Sequence, residues 1–483
     1  MEENNEMQRG LKQRHLSMIA IGGSIGTGLF VASGSTISTS GPAGALVAYG
    51  LIGLLVFFMM TSLGELATYM PVSGSFSTYA TRFVDPAFGF ALGWNYWFNW
   101  AITLAVDIST SAIIMEYWFP HIPGWIFSLV FFVLIVLLNM ASVELFGEAE
   151  YWFSMIKVVT VICFIGIGLL TVFGILGGHA DGLMNFMGGK DGKTGPFIGG
   201  VPALLSAFVV AGFSFQGVEM VGITAGESDN PSKAIPKAIK QVFWRIVLFY
   251  MISILIIGLL IPATSPNLLG SNASDIAISP FTLVFQRAGL AMAASVMNAV
   301  ILTSVLSAGN SGLYAGARML CAMSKEGQAP KALSKVTKKG VPINATLLTA
   351  AVGGFAFITS IFGNRIYSFL LSASGLTGFI AWIGIAICHL RFRKAYLAQG
   401  GALQDLKYRS RFYPVGPVFA ILLSIIIVIG QGIPAAKEGQ WGELLISYMS
   451  IPLFIILFAY YKYKHHTHLI PIDEVDLETD HME

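Results

Sequence analysis

Residues 19–30 read IAIGGSIGTGLF, and residues 211–220 read AGFSFQGVEM. Both stretches lie inside long apolar runs, and both interrupt the run with glycines and polar residues. Glycine lowers helix stability by about 1 kcal/mol relative to alanine, so each cluster predicts an unwound turn inside a membrane helix. A matching pair of interrupted helices is the best sequence indication of a substrate site in a membrane transporter.

The composition requires lipid as the solvent for most of the chain. Of 483 residues, 55% are hydrophobic and only 11% are charged, and the mean hydropathy is +0.72. Soluble domains carry about 25% charged residues, and a spanning helix needs about 20 apolar residues. The apolar runs therefore predict an all-α membrane protein with twelve spanning helices. These lie at residues 16–37, 43–69, 87–117, 125–145, 150–176, 199–226, 240–263, 288–322, 344–363, 366–391, 415–435 and 443–463.

The basic residues predict on which side of the membrane each loop lies. Cytoplasmic loops carry an excess of Lys and Arg. With the N-terminus inside, 22 of the 28 Lys and Arg fall in cytoplasmic segments and five in outside segments, while Lys157 stays in a span. We therefore expect a multi-pass protein of the cell (inner or plasma) membrane with both termini in the cytoplasm.

The two interrupted segments are the first and the sixth predicted helices. Each half therefore holds five spans, and an odd number of spans reverses the orientation of the second half. This spacing predicts an inverted repeat of five plus five helices, with broken helices 1 and 6, plus two extra helices. The transport core would cover residues 16–393 and helices 11 and 12 residues 394–463, between cytoplasmic tails at 1–15 and 464–483.

The sequence argues against a barrel, a nucleic-acid-binding protein and an enzyme. The continuous apolar runs lack the ten-residue alternation of barrel strands. The basic residues are dispersed and the net charge is only +2, so no nucleic-acid partner is expected. Cys163, Cys321 and Cys388 lack the spacing of a zinc site or a disulfide scaffold, and no nucleophile–base pair appears in the spans. We expect no catalytic residue, no metal and no cofactor. The polar N-terminal stretch shows no cleavable signal.

The unwound turns free backbone groups that the head group of an amino acid can satisfy. The N–H groups of Gly26, Thr27 and Gly28 lie at the positive end of a half-helix and suit a carboxylate. Carbonyls near Ile21 and at residues 213–214 suit an ammonium. The alternative is that the glycines only allow close helix packing. A single cluster leaves that alternative open, whereas two clusters at corresponding positions favour binding.

Ionisable residues inside a membrane are costly and usually functional. Asp107 lies in the middle of a predicted span, and Glu219 follows the second break directly. These carboxylates are candidates to pair with a cationic substrate. Glu219 is also a candidate to take up a proton or to make a structural hydrogen bond. Glu65 and Glu227 lie near helix ends, where a capping role competes equally with a functional one.

Lys157 is the only basic residue deep in a predicted span. Its ammonium needs acceptors, and the unwound first helix offers carbonyls. A fixed cation there would lie where a coupling sodium ion otherwise binds, which favours proton coupling. The alternative is that the Lys157 side chain extends to the nearby interface.

Further residues are candidates for the walls of the site. Trp100 shares a helix face with Tyr96 and belongs either to the substrate path or to the interfacial aromatic belt. Asn310, in the eighth predicted helix, either lines the cavity or joins helices by hydrogen bonds. Together with Asp107 and Ser374, Asn310 forms the predicted pocket for the substrate side chain.

Four stretches carry a family resemblance. They are GGSIGTGLF at 22–30, SGPAGALVAYGLIGLLVFFMMTSLGELATYMPVSGSF at 40–76, GFSFQGVEMVGITAGESDNPSKAIPKAI at 212–239 and NSGLYAGARML at 310–320. With these stretches the chain resembles the amino acid–polyamine–organocation superfamily, and within it the bacterial amino acid transporter family. The resemblance extends over nearly the whole chain.

The resemblance implies roles for particular residues. The turn from Ser24 to Gly28 would hold the substrate carboxylate. Phe213 falls where the family places an aromatic gate, although relatives often have tryptophan there. Glu219 and Lys157 fall where proton-linked residues are found. The predicted substrate site is thus Ile21, Ser24, Ile25, Gly26, Thr27, Gly28, Trp100, Phe213, Ser214, Phe215 and Glu219, and the predicted proton-coupling residues are Lys157, Glu219 and Glu227.

The function implied by the resemblance is proton-coupled import of lysine by alternating access. L-Lysine or a similar amino acid, protons and the lipid bilayer are then the expected partners. A bundle of helices 1, 2, 6 and 7 would rock against the remaining helices. The alternatives are a permease for another cationic or a neutral amino acid, and a lysine-binding membrane sensor that signals to an unknown partner.

Overall fold

The computed structural model describes residues 11–23, 25–177, 182–188, 195–228, 230–265, 268, 279–360, 364–437 and 439–481. Within these ranges every regular element is a helix, apart from one isolated parallel bridge between Leu11 and Ser228. Nine helical segments in the described ranges are long and apolar enough to cross a membrane. The prediction of an all-α membrane protein is therefore confirmed.

The helices are numbered here in chain order. They are α1 Gln13–Gly22, α2 Ser33–Tyr69, α3 Ser75–Phe83, α4 Pro86–Glu116, α5 Gly124–Ala141, α6 Val143–Val172, α7 Gly182–Phe186, α8 Gly200–Phe215, α9 Met220–Thr224, α10 Pro231–Arg245, α11 Ile252–Leu260, α12 Pro280–Arg287, α13 Ala291–Lys325, α14 Ile343–Ser360, α15 Asn364–Ala398, α16 Val415–Gly430, α17 Ile433–Lys437, α18 Trp441–Tyr448 and α19 Ser450–His465. The chain forms wider π turns at Gly28–Ala32, directly before α2, and at Ile246–Met251, between α10 and α11.

Both glycine clusters interrupt their helices at the predicted places. The first break separates α1, which ends at Gly22, from the π turn that begins at Gly28. The second separates α8, which ends at Phe215, from α9. Gly217 lies in the second break with φ +95°, a conformation that glycine adopts without the strain of a side chain.

A kink at Gly41 divides the long α2 into the end of the first predicted span and the second. Gly41 has φ +78° and ψ 165°, and Pro42 follows it. A Cβ on Gly41 would lie 2.5 Å from the carbonyl oxygen of Pro196. Glycine is therefore required here both by the backbone angle and by the close approach of the chain.

Two helices begin at least seven residues earlier than the sequence predicts. α6 begins at Val143 instead of residue 150, because the Ser142 hydroxyl accepts a hydrogen bond from the N–H of Leu145 and caps the helix. α10 begins at Pro231 instead of residue 240, since proline at the first helical position is preorganised for a helix start. In both cases polar residues in the first turns lower the hydropathy without ending the helix. α3, α7 and α12 lie outside all the predicted helices.

α4 is the central helix. It packs against α3, α5, α13, α14, α15 and α19. The Asp85 carboxylate caps its start by accepting from the N–H of Ala87 at 2.8 Å. Asn99, Thr103 and Asp107, spaced four residues apart, share one buried face of α4. This face is directed towards the two helix breaks.

We predict that Gly28→Ala lowers stability. A Cβ on Gly28 would lie 2.3 Å from the Cα atom of Ser214, so the two broken helices would have to separate. Overpacking of this kind costs about 1–3 kcal/mol, and the melting temperature of the purified protein in detergent should fall. Gly166→Ala in α6 is the matched control, because nothing lies within 4 Å of its Cβ position. Equal melting temperatures for the two variants would contradict the close contact.

Candidate functional site

A small cavity lies between the two helix breaks and the central helix. Its volume is about 30 Å³, which is room for one or two water molecules. An amino acid therefore enters only when the walls move apart. The cavity is lined by Gly23, Gly26, Thr27, Gly28, Trp100, Thr103, Asp107, Phe213, Gln216 and Ala308.

Glycines of the first break bring its backbone close to neighbouring helices. A Cβ on Gly26 would lie 3.0 Å from the Cβ of Ala308 on α13, and Gly28 contacts the backbone of Ser214 in the same way. The close helix packing that the sequence offered as an alternative role for these glycines is therefore present. It coexists with a cavity at the same glycines, so packing and binding are not exclusive explanations.

Aromatic side chains close the cavity on two sides. Phe213, at the end of α8, is 7% exposed and packs against Ile102 and Val106 of α4. Trp100 is buried and packs edge-on against Tyr96, with ring centroids 5.8 Å apart. Trp100 therefore lies in the wall of the cavity and not in an interfacial belt.

Asp107 is the carboxylate of the cavity wall. Its Oδ1 accepts a hydrogen bond of 2.8 Å from the hydroxyl of Thr27 in the first break. Its Oδ2 is buried and has no hydrogen-bond partner among the described residues. A buried carboxylate oxygen without a partner is energetically costly. The geometry therefore provides an acceptor for a cationic or hydroxyl donor at this point.

Lys157 lies behind the first break. The side chain is fully buried, and Nζ donates to the carbonyl oxygen of Gly22 at 3.1 Å. It does not extend to an interface. The same carbonyl also accepts a hydrogen bond from the N–H of Ile25 at 3.0 Å. Lys157 and the Ile25 N–H thus share a backbone acceptor at the end of α1.

Glu219 lies on the other side of the second break and does not line the cavity. Its Oε1 accepts from the Tyr96 hydroxyl at 3.1 Å and from the Gly217 N–H at 3.2 Å. Its Oε2 accepts from Trp382 Nε1 at 3.2 Å. Glu219 therefore links α4, α15 and the break, and its geometry does not favour direct pairing with a substrate in the cavity.

A buried polar network joins the second break to α4 and α15. Gln216 Nε2 donates to the carbonyl of Ser374 at 2.6 Å, and the Ser374 hydroxyl donates to Asn99 Oδ1 at 2.8 Å. Thr103 lies 2.8 Å from the same hydroxyl. Asn99, Thr103 and Gln216 were missed in the sequence, where uncharged polar residues in apolar helices give little signal. Ser374 thus does not line the cavity itself, but it contacts Gln216 and Thr103, which do.

Some predicted residues point away from the cavity. The Ser214 hydroxyl lies 2.9 Å from Tyr49 of α2, and Phe215 stacks on Tyr250 at 4.1 Å. Asn310 donates to the buried carboxylate of Glu150 at 2.8 Å. Asn310 therefore joins helices and does not line the substrate pocket. Ile21 lies in α1 beside the cavity without lining it, and Ser24 lies outside the described residues.

Glu150 is a functional candidate that sequence reasoning missed. Its Oε2 accepts from Ser307 at 2.8 Å and its Oε1 from Asn310. Glu150 and Asp107 are the carboxylates whose charges act favourably on Lys157. The sequence predicts a helix that begins at Glu150, whereas Glu150 lies two turns inside α6 on the face that carries Lys157.

Glu227 forms a buried ion pair at the other end of α9. Its carboxylate accepts from Arg318 Nε at 3.1 Å and from the Tyr314 hydroxyl at 2.5 Å. The Arg318 guanidinium also lies 3.8 Å above the Tyr314 ring. The Glu227 carbonyl accepts from the N–H of Leu11. These contacts give Glu227 a structural role in holding the N-terminal segment against α13.

The comparisons with known proteins agree with this geometry. Residues 15–470 match the family described as amino acid permease. The chain belongs to the amino acid permease family. The permease is 56% identical to the lysine-specific permease LysP of Escherichia coli (strain K12), over 97% of this chain and 96% of that protein.

Two proteins of Lactococcus lactis subsp. cremoris are similar to the permease at nearly the same level. Its lysine-specific permease LysP is 53% identical over 98% of this chain and 93% of the relative. Its histidine permease HisP is 52% identical over 99% of this chain and 100% of the relative. The prediction of a transporter instead of an enzyme is confirmed, and the family and the apolar helices make the permease a multi-pass protein of the plasma membrane.

We predict that Glu227→Gln destabilises the permease strongly. Arg318 is 1% exposed, and removing its partner charge leaves a buried guanidinium uncompensated, at a cost of about 3–5 kcal/mol. The melting temperature in detergent should fall well below that of the wild type. Asp480→Asn serves as the control, because the exposed Asp480 pairs with Arg82 at the surface, where ion pairs contribute little. A Glu227→Gln protein that melts with the wild type would contradict the structural role.

Proposed function

We propose that the permease imports lysine by proton-coupled alternating access through the cavity between its two broken helices. The observation that carries the proposal is the buried Oδ2 atom of Asp107, which lacks a partner among the described residues and borders the cavity. Two relatives named as lysine-specific permeases, at 56% and 53% identity, support the choice of substrate.

The head group of the substrate would bind to the backbone of the breaks. The N–H groups of Gly26, Thr27 and Gly28 begin the second half of the first helix, where the helix dipole favours a carboxylate. All three residues line the cavity. The ammonium would bind near the end of α8, where Phe213 closes over it.

The side chain of the substrate would extend towards α4. There Asp107 offers its free oxygen to the ε-ammonium, and Thr103 offers a hydroxyl beside it. A charge-assisted hydrogen bond in a dry cavity is stronger than a neutral one. This arrangement favours a cationic substrate over a neutral amino acid.

The proton would be taken up apart from the substrate. Glu219 has its own donors, Tyr96 and Trp382, and it bridges the second break to α4 and α15. A change in its protonation alters the hydrogen bonds that hold the break in place. Lys157 supplies the fixed positive charge at the first break, which leaves no need for a sodium ion there.

The same proposal includes the arrangement of the helices. Breaks in the first and sixth predicted helices support an inverted repeat of five plus five helices, with twelve spans in all and both termini in the cytoplasm. The contact between Gly28 and Ser214 supports pseudo-symmetric pairing of the breaks. The bundle of helices 1, 2, 6 and 7 would then rock against α4 and its neighbours, opening the cavity to each side in turn.

Uptake of labelled lysine into proteoliposomes tests the transport function. We expect uptake when the outside is acidic, little uptake without a gradient, and no requirement for sodium. Lysine binding without any uptake would support the sensor alternative and overturn the transporter. Uptake driven by a sodium gradient alone would overturn the role proposed for Lys157.

Two carboxylate variants separate the substrate site from the proton site. Asp107→Asn should raise the KM for lysine on the order of 100-fold, because a buried charge pair is lost, while proton stimulation persists. Glu219→Gln should abolish proton stimulation and change the KM for lysine little. Each variant serves as the control for the other in the same vesicles. A wild-type KM in Asp107→Asn would remove Asp107 from the side-chain site.

Histidine is the second candidate substrate, because the histidine permease HisP is 52% identical over its full length. Competition decides between the two. We expect unlabelled lysine to inhibit labelled lysine uptake at lower concentrations than histidine, arginine or a neutral amino acid. Stronger inhibition by histidine would assign the site to imidazole and leave the transport mechanism intact.

A further inference from the structure

A second cavity lies on the outer surface of the helices and shares no lining residue with the cavity at the breaks. It lies between α2, α10 and the segment that follows α15, and its volume is about 420 Å³. The proposed transport mechanism makes no use of it. It is lined by Phe57, Thr61, Pro236, Ile239, Lys240, Phe243, Trp244, Tyr408, Arg409, Arg411 and Phe412.

One half of this outer cavity is an aromatic wall. The Phe57 ring packs edge-on against Phe243 at 5.4 Å and against Phe412 at 5.9 Å. Phe58 extends the same cluster, with its ring 5.3 Å from Phe412. Phe243 and Phe412 are nevertheless 42% and 46% exposed, and Trp244 is 54% exposed. The wall is well ordered by its own contacts and offers an apolar surface to the membrane.

The other half carries three cations. Lys240, Arg409 and Arg411 are exposed, and none of them forms an ion pair with another described residue. No acidic residue is among the described residues that line the cavity. The cavity therefore concentrates positive charge beside an apolar wall.

The two arginines are held in place by the residue between them. Ser410 is buried, and its N–H donates to Glu65 Oε2 at 2.7 Å. Glu65 is itself fixed by an ion pair with the buried guanidinium of Arg393. The segment is thus anchored to α2, with Arg409 and Arg411 exposed on either side of the anchor. The sequence left a capping and a functional role open for Glu65, and these contacts give it a structural role.

The exposed face of α10 marks the depth of the cavity in the bilayer. Lys233, Lys237, Lys240 and Trp244 are spaced at four, three and four residues, so they share one helix face. All four are exposed. The face changes from lysine to an aromatic residue between 240 and 244. Lysine and tryptophan side by side are typical of the boundary between head groups and hydrocarbon.

We propose that this outer cavity binds an anionic phospholipid. The phosphate groups would lie among Lys240, Arg409 and Arg411, and an acyl chain would lie along the wall formed by Phe57, Phe243 and Phe412. Zwitterionic lipids fit less well, because their cationic head group would face three like charges. A soluble phosphate would leave the aromatic wall uncovered. The proposal requires only a membrane-embedded chain and does not rest on the transported substrate.

Native mass spectrometry of the purified permease tests the proposal with phosphatidylglycerol as the lipid. We expect the triple variant Lys240→Gln, Arg409→Gln, Arg411→Gln to bind the first phosphatidylglycerol on the order of 100-fold more weakly than the wild type, since each basic residue near an anionic lipid surface contributes about fivefold. Lys331→Gln, Lys335→Gln, Lys339→Gln removes the same charge from another exposed segment, and this control should bind like the wild type.

Further arms distinguish a built site from general charge attraction. The wild type should bind phosphatidylcholine with the same acyl chains at least tenfold more weakly, and soluble glycerol phosphate should not displace phosphatidylglycerol. Equal affinity of the triple variant and the wild type would overturn the proposal. So would an equal loss in the lysine control, or equal affinity for the two lipids. The comparison of the two lipids uses only the wild type. It therefore tests the proposal even if a variant fails to fold.

Discussion

The structure depends on one constraint, which is that backbone groups freed by two helix breaks must find partners where no water is at hand. Lys157 donates to the Gly22 carbonyl at the first break, and Tyr250 donates to the Ser214 carbonyl at 2.8 Å beside the second. Glu219 accepts from the N–H of Gly217. Lys157, Tyr250 and Glu219, which would each be costly to bury in a membrane without a partner, are thus partners of backbone groups. The breaks and these buried polar residues therefore stabilise one another.

The sequence was sufficient for the features that violate the apolar pattern. Clustered glycines and the isolated Lys157 stand out in an apolar run, and both lie where the pattern predicts. The sequence does not predict the helix starts at Val143 and Pro231. A capping serine sets the first start and a proline the second, while the low hydropathy of the first turns hides both from a search for apolar runs. The network of Asn99, Gln216 and Ser374 also escaped prediction. It joins residues more than a hundred positions apart, and sequence spacing holds no information about such contacts.

The structure also separates residues that looked equivalent in the sequence. Four membrane carboxylates, Glu65, Asp107, Glu219 and Glu227, each interrupt an apolar run. Glu65 and Glu227 bind buried arginines, and such pairs fix helices in place. Glu219 binds only neutral donors, and Asp107 keeps one oxygen free among the described residues. The partner of each carboxylate, and not its depth, therefore decides which one is available for substrate or proton.

Charge balance around the first break connects the substrate to the coupling ion. The charges of Glu150 and Asp107 favour the ammonium of Lys157, while the buried guanidinium of Arg245 opposes it. The two carboxylates thus face two basic residues, and what favours a cationic substrate is the free Oδ2 atom of Asp107 among the described residues. The head group of an amino acid is neutral overall, and the ammonium of a lysine side chain would supply a donor for this oxygen. A proton bound at Asp107 would compete with that side chain, which would oppose symport. The proposed symport of lysine and a proton would therefore need a second carboxylate, and Glu219, placed across the second break with its own donors, is the candidate.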